Sequence, residues 1–560
     1  MARLNRRSAG LVAACIGLSA SAANGETLAD AVALAYQSNP TLQSARAQVR
    51  AIDEEYVQAR AGYRPTAEGR AQTTLQHAQQ TQLFLGQTDN WTNSGTATLE
   101  IDQPLFTSGA VGWGVAAASS DIRSARQALR STEAQVLQAV VQAYVDVRRD
   151  QRIVGALESE VGILQNQLDD VTARQKAGDV TRTDVEQSLA QLETSRSSLT
   201  LAQGQLQVSR SEYVAAVGQN PGDLAPEPPL PGLPTTIDEA FTVAQANNPT
   251  LMQAEEAEKA ASARISQAKA QYRPQVTLTT TYGDTGPVVP FVDKTEQREF
   301  TVSAQVTVPM FTGGLAQSNV RKAVETDNSD RFNIEVTRRQ VVQAVSNAWN
   351  TALANRASAT ADERAVQTAR RYFSDTEQEY RVGQRSTLDV LIAEQALRGA
   401  EVSAAQAEHD GYLAQTALLA AVGRLEAADL VADVPVYDPA ESFRNVRLKG
   451  AVPWEAVIEG FDKIGSPLPE RERPLTAPDA ATHPVLRDGP PIPADAAPAT
   501  SNPTAPLPRT TSPATPPGLG DDRGAAYSPT SEPWETMLEG SAASGVKDRG
   551  ASSAPGPGAP

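Results

Sequence analysis

From Val147 onward, the apolar residues Val154, Leu157, Val161, Leu164, Leu168 and Val171 follow one step of seven and then spacings of three and four. Past a short break at Gly178, Val185, Leu192, Leu199, Leu206 and Tyr213 recur at sevens. This period puts a narrow apolar seam on one side of a helix, the pattern of a coiled coil. No proline interrupts the chain from about Val111 to Lys176, and glycine is sparse. At 1.5 Å per residue that stretch reaches about 100 Å. A globular core has no room for such a rod, so ordinary core helices are the weaker reading.

A different period appears elsewhere. Phe300, Val302, Ala304, Val306 and Val308 alternate with Thr301, Ser303, Gln305 and Thr307, and Gln275–Thr280 alternates likewise. Period two predicts strands with one apolar face. The counterpart stretch Thr96–Leu105 is more acidic on one face, through Glu100 and Asp102. Polar stretches around Gln79–Asn93 and Gly283–Gln297 read as loops between paired strands, the second with Pro287 and Pro290. A single helix is expected over about Thr27–Ala61, ended by Tyr63-Arg64-Pro65, because proline and the residue before it both resist helix.

These patterns occur twice. Asn39-Pro40-Thr41-Leu42 returns as Asn248-Pro249-Thr250-Leu251, and Tyr63-Arg64-Pro65 as Tyr272-Arg273-Pro274, both at an offset of 209 (248 − 39). Pro104-Leu105-Phe106-Thr107-Ser108-Gly109 returns as Pro309-Met310-Phe311-Thr312-Gly313-Gly314 at an offset of 205 (309 − 104), which Gly178/Gly383 and Asp184/Asp389 share. The change of four falls between paired strands, where loop length varies most freely. The chain therefore divides into a repeat over 26–225, a Pro-rich linker over 226–234, a second repeat over 235–430 and a tail over 431–560. Each repeat runs helix, strand, loop, strand, very long helix, turn, helix.

Composition narrows the class. Aromatic content is only 5%, with 4 Met and 5 Trp, too little for one large core but suited to long helices packed through small residues. A net charge of −17 argues against a nucleic-acid partner. Arg3, Arg6 and Arg7 precede a short apolar run and Ala23-Asn24-Gly25, so residues 1–25 read as a secretory signal cleaved before Glu26. Val12-Ala13-Ala14-Cys15 also resembles a lipobox, which leaves open whether Cys15 is acylated or removed. No later run approaches the roughly 20 apolar residues of a membrane helix. Any membrane insertion must then use strands. Four strands cannot close a barrel, for which about eight is the minimum. Several chains must share one barrel, and three would supply twelve strands, although periodicity alone does not fix three.

The doubled Asn-Pro-x-Leu, Tyr-Arg-Pro, Pro-Leu/Met-Phe-Thr-x-Gly and Gly-x-x-x-x-x-Asp elements together resemble TolC-type outer-membrane proteins, over roughly Glu26–Leu430. The resemblance implies an α+β membrane protein. It implies a homotrimer with a 12-stranded outer-membrane β-barrel, four strands per chain, continued by a long α-helical coiled-coil tunnel through the periplasm. It implies an exit duct for multidrug efflux or type I secretion, served by a periplasmic adaptor (membrane-fusion) protein and an inner-membrane transporter. The turns at Gly178 and Gly383 become the hairpin tips where the tunnel closes. By the same resemblance, Tyr380 and Arg385 match lock residues, Thr183 and Asp184 their partners, and Asp389 a ring of gate carboxylates. A repulsive carboxylate ring on a narrow axis attracts cations and biases gating. Where the family carries a second acid, this chain has Ile392, so either the ring is single or Glu394 replaces it from another helix face. Asp184 and Asp389 also suit plain first-turn helix stabilisation.

The tail is rich in Pro, Ala, Ser and Thr and is expected to be mostly disordered. Within it Pro453-Trp454-Glu455 opens an eight-residue motif that returns at Pro533-Trp534-Glu535. Such a motif can dock as a short helix, on a periplasmic partner or on the protein's own tunnel. His77, His409 and His483 show no metal spacing, and no phosphate loop or nucleophile motif appears, which points away from an enzyme or a cofactor. The rival class is a soluble periplasmic coiled-coil scaffold without a pore. The cargo is not legible in the sequence.

Overall fold

Asn39-Pro40 splits what the periodicity predicts as one helix into α1 (Leu28–Ser38) and α2 (Pro40–Ala61). Asn39 is extended (φ −61°, ψ 123°), as a residue before proline must be, and its side chain accepts from the amides of Thr41 and Leu42 at 2.9 and 3.4 Å. Proline at the first helical position restarts the helix at no cost in hydrogen bonds. The expectation of an unbroken Thr27–Ala61 is corrected on this point. The computed structural model describes residues 26–82, 86–287, 297–431, 435–464 and 466, with backbone alone for 80–82 and 86–90.

Beyond α2 come β1 (Thr66–Gln82), β2 (Gly86–Phe106), the 68-residue α3 (Ala110–Ala177) and α4 (Arg182–Val217). The second repeat follows as α5 (Ile237–Asn247), α6 (Pro249–Ala270), β3 (Gln275–Gly286), β4 (Gln297–Thr307), the 67-residue α7 (Leu315–Arg381) and α8 (Thr387–Val422). Asn248 repeats the capping of Asn39, accepting from Thr250 and Leu251 at 3.0 and 3.2 Å.

The four described strands form one antiparallel sheet in the order β1-β2-β3-β4, so β1 and β4 each pair on one side only within the chain. The polar stretch around Gln79–Asn93, expected to be a loop, is strand. β1 and β2 stay in register from Thr66↔Asp102 out to Gln82↔Gly86. Backbone pairing continues there without an apolar face to announce it, because alternation reports burial and not the ladder itself. Likewise β3 and β4 pair through Gly283↔Glu299 to Thr285↔Gln297, while 288–296 lie outside the described residues.

The largest apolar cluster gathers where α1 and α2 pack on α3 and α4, around Val32, Leu137, Val140, Tyr144 and Tyr213. A smaller one joins α5 to α7 and α8 through Ala240, Val345, Leu418 and Val422. Near the far end of the rods the cluster thins to Leu164, Leu192 and Leu391. The molecule is thus well packed at its waist and thinly seamed toward the hairpin turns.

After α9 (Ala427–Leu430), the segment expected to be mostly disordered contains α10 (Pro439–Val446) and α11 (Glu455–Ile464). Phe443 of α10 meets Tyr56 edge-on, with ring centroids 5.0 Å apart. The expectation of disorder is corrected for these residues. Proline at the start of α10 and apolar residues at helical spacing in α11 outweigh the surrounding composition. No described helix is long and apolar enough to cross a membrane.

Candidate functional site

The sheet has two chemically distinct faces. Register places Leu99, Tyr282 and Phe300 in one cross-strand row and Ile101, Thr280 and Val302 in the next. Leu75, Ala97, Val276, Leu278, Ala304 and Val306 share that face by alternation. The opposite face carries Glu68, Arg70, Glu100, Asp102, Thr279, Thr281, Glu299 and Gln305. Leu75, Leu99, Ile101, Tyr282, Phe300, Val302 and Val306 are all exposed. An apolar face left in the open suits lipid, and the charged face behind it suits a water-filled lumen. Trp91 stacks on His77 at 4.3 Å, about 30 Å of strand beyond Ile101, where an interfacial aromatic belongs.

At the other end of the rods, α3 ends at Gly178 (φ 90°), and Gly383 (φ 79°) follows α7. These left-handed positions favour glycine because a Cβ is strained there. Both following helices open on a capping box. Thr181 Oγ1 accepts from the Asp184 amide at 3.3 Å, and Asp184 Oδ2 accepts from the Thr181 amide at 2.8 Å. Ser386 and Asp389 repeat this at 3.3 and 3.0 Å. The bonds from Thr181, side chain foremost, and those from Ser386, backbone foremost, hold both carboxyls below the usual carboxylate range. Each aspartate therefore stabilises its own helix start.

Within the chain the lock residues find other partners. The Tyr380 hydroxyl donates to Asp170 Oδ2 on α3 at 3.3 Å, and Arg174 lies over its ring at 4.6 Å. Arg385 Nε donates to Glu379 Oε2 at 2.8 Å. Thr183 is exposed in the first turn of α4, and among the described residues no bond joins it or Asp184 to Tyr380 or Arg385. Asp389 is partly exposed, and Leu388 (47%) and Ile392 (49%) are exposed beside it. Glu394 is on the other side of α8, 3% exposed and turned toward α3. Burial first, then the neighbouring Glu160 carboxyl, push Glu394 up to about 8, against the pull of Arg398.

Two features escaped the sequence reading, and a third decides between alternatives it left open. Glu160 is 2% exposed on α3, and Asp150 is buried ten residues before it. Asp150 falls at the seam position between Val147 and Val154, so the heptad count itself marks it as buried, whereas Glu160 flanks the seam one residue before Val161. The second feature surrounds His409, whose Nε2 and Nδ1 lie 2.8 Å from Asp146 and from Asp410. Arg149 bridges Asp146 and Asp150 at 2.9 and 2.8 Å, and Ser209 Oγ donates to Asp150 at 2.5 Å, so α3, α4 and α8 meet in one polar layer. Burial pulls the imidazole down, but its bonds to Asp146 and Asp410 more than offset that and raise it.

The third is the seat of the Pro453-Trp454 motif. Trp454 Nε1 donates to Gln103 Oε1 at 3.1 Å, while Glu455 accepts from Arg60 at 2.7 Å and Arg64 at 3.1 Å. Asp462 accepts from the amides of Thr107 and Gly109, at 2.6 and 3.1 Å, and from the Tyr63 hydroxyl at 3.2 Å. The first copy of the motif thus packs on its own chain, across the Tyr-Arg-Pro corner. Pro533 and Trp534 lie outside the described residues. No cluster of metal-ligating side chains occurs among the described residues.

Paired helical rods meeting at two hairpin turns, joined to an open two-faced sheet, give the chain the fold of outer-membrane channel proteins. The chain belongs to the outer membrane efflux protein family, whose signature matches residues 31–219 and 241–424. It is 30% identical over 444 residues to the outer membrane efflux protein BepC of Brucella suis biovar 1, covering 78% of this chain and 95% of that one. It is 25% identical over 441 residues to the outer membrane protein TolC of Escherichia coli K12, covering 74% and 87%. In fold it resembles the CmeC outer membrane channel of Campylobacter jejuni, with a TM-score of 0.64 at 15% identity over 75% of this chain and 89% of that one. The protein is accordingly an outer-membrane protein whose helices extend into the periplasm, in a family of channels and not of enzymes.

Proposed function

We propose that three chains join edge to edge, β4 of one to β1 of the next, into a 12-stranded barrel over a common helical tunnel. The observation that carries this reading is the two-faced sheet with one unpaired edge on each side. Lipid does not tolerate open edges, and barrel closure removes them. The homotrimer serves as the exit duct for efflux or type I secretion, engaged at its tips by a periplasmic adaptor and an inner-membrane transporter. The name of its Brucella relative favours efflux.

In the trimer the three Asp389 carboxylates face one another across the axis as a single ring, with Ile392 in place of a second. The Ser386 cap bonds hold each carboxyl low and favour its charged form, while mutual repulsion across the ring works in the other direction. Arg385 meets Thr183 and Asp184 of a neighbouring hairpin and holds the mouth shut, while Tyr380, buried against its own α3, fastens the α7 end from within the chain. The exposed lock residues are available for such contacts: Arg385 and Thr183 both lie on the surface of the chain.

Cysteines placed on β1 and β4 test the assembly, since Cys15 is the one cysteine of the sequence. A short bifunctional reagent should convert protein carrying Glu68→Cys and Gln305→Cys into covalent trimers. Monomers alone, in protein soluble without detergent, would favour the pore-free scaffold instead.

A further inference from the structure

Near the tips, α3 and α8 enclose charge that does not balance. Along this cleft Asp170 pairs with Arg174 at 3.0 Å, and on α7 Glu377 pairs with Arg381 at 2.5 Å. Tyr380 donates to Asp170, and Glu401 of α8 pairs with Arg370 of α7 at 2.9 Å. What remains is Glu160 on α3 and Glu394 on α8, two carboxyls facing the single guanidinium of Arg398, whose Nε lies 3.3 Å from Glu160 Oε1. From α4 comes only the hydroxyl of Ser195, itself buried.

Both carboxyls are more than nine-tenths buried, and Glu160 Oε1 and Oε2 and Glu394 Oε2 have no hydrogen-bond partner. An uncompensated buried carboxylate is costly, and the inexpensive remedy is a proton. We infer that Glu394 carries that proton and latches the α7–α8 hairpin onto α3, so that losing it loosens the tunnel tip. With one proton and one arginine the three groups are neutral. Without the proton, a second negative charge faces Glu160 across the α3–α8 seam, beside the thin Leu164–Leu192–Leu391 cluster.

The direction with pH follows. A carboxyl raised in the packed state, here from 4.5 to about 8, favours packing in its protonated form. Packing is strongest in acid, weakens as pH rises from the ordinary carboxylate range to about 8, and levels off above it. The latch rests on the proposed gating at the tips, but it is distinct from the Asp389 ring, whose carboxyls are held low.

The test is amide hydrogen exchange on the full-length assembled protein between pH 5.5 and 9.5, corrected for intrinsic rates, with conductance measured on the same samples. Protection of 387–398 and of the facing part of α3 should fall at least tenfold between pH 5.5 and 8 and then level off. Glu394→Gln should hold it constant. Glu160→Gln leaves Arg398 to Glu394 and should move the fall to lower pH, which also covers failure of the first variant to fold. Asp389→Asn should leave the fall in place. An unchanged fall in Glu394→Gln, or no shift in Glu160→Gln, overturns the latch, as does loss of the fall in Asp389→Asn. A fall in protection without any conductance would contradict the channel reading while sparing the latch.

Discussion

At the scale of single residues, buried charge carries most of the consequences. Glu455 is 3% exposed and holds two arginines at the Tyr-Arg-Pro corner. Removing one member of a buried network typically costs about 3–5 kcal/mol, because the other charges stay behind unpaired. Glu455→Ala should therefore release α11, read as rapid proteolysis around 447–464 where the unaltered protein resists. His409 makes a pH-dependent contribution of the opposite charge type. Its value in the folded state is raised above 6.5, so its contribution is complete below about 6.5 and is lost as pH climbs through that higher value. Exchange around 146–150 should speed up over this interval, and His409→Gln should remove the change. The glycines at both tips and the aspartates three residues into each cap were legible in the sequence, since chemistry and position coincide there. The burial of Glu394 was not. Its neighbour Ile392 is the exposed one, since residues two apart on a helix lie on nearly opposite faces.

At the scale of elements, the rods and turns were the most readable part, because a seam of sevens and an uninterrupted run admit one interpretation. The split at Asn39-Pro40 was written in the proline and was overridden by the periodicity on either side. The outer halves of the strands were unreadable, since Gln, Thr and Asn side chains leave no alternating signal while the backbone ladder runs on. The two faces of the sheet make a contrast that can be measured. Val302→Arg places a charge on the apolar face and should cost roughly 2–4 kcal/mol in lipid, whereas Thr301→Arg on the opposite face should cost little. Yield of membrane-integrated, heat-resistant oligomer separates the two. At the tips, Gly178→Ala meets no atom within 4 Å, so it isolates backbone strain. It should cost about 1–2 kcal/mol of local stability, read as faster exchange in the first turn of α4.

At the scale of the whole molecule, the two repeats explain why one chain supplies both a tunnel wall and a piece of barrel. Each repeat carries one strand hairpin and one rod pair, joined at the waist where most apolar burial is found. The helices α10 and α11 pack on α2 and on the helix–sheet junction and are not a free tail, and α11 braces the corner where β1 leaves α2. The Trp motif made docking on the protein's own chain one of two open readings, but the seat itself was not legible, because its partners lie about 390 residues away in sequence. The proposed trimer follows from edges left open on a two-faced sheet, and its gate from the turns at 178 and 383. Single-channel recording of the purified full-length protein in planar lipid tests this most directly. The account predicts discrete openings of uniform size, blocked by multivalent cations from the periplasmic side, with Asp389→Asn relieving the block. Protein that needs no detergent and passes no current would contradict it.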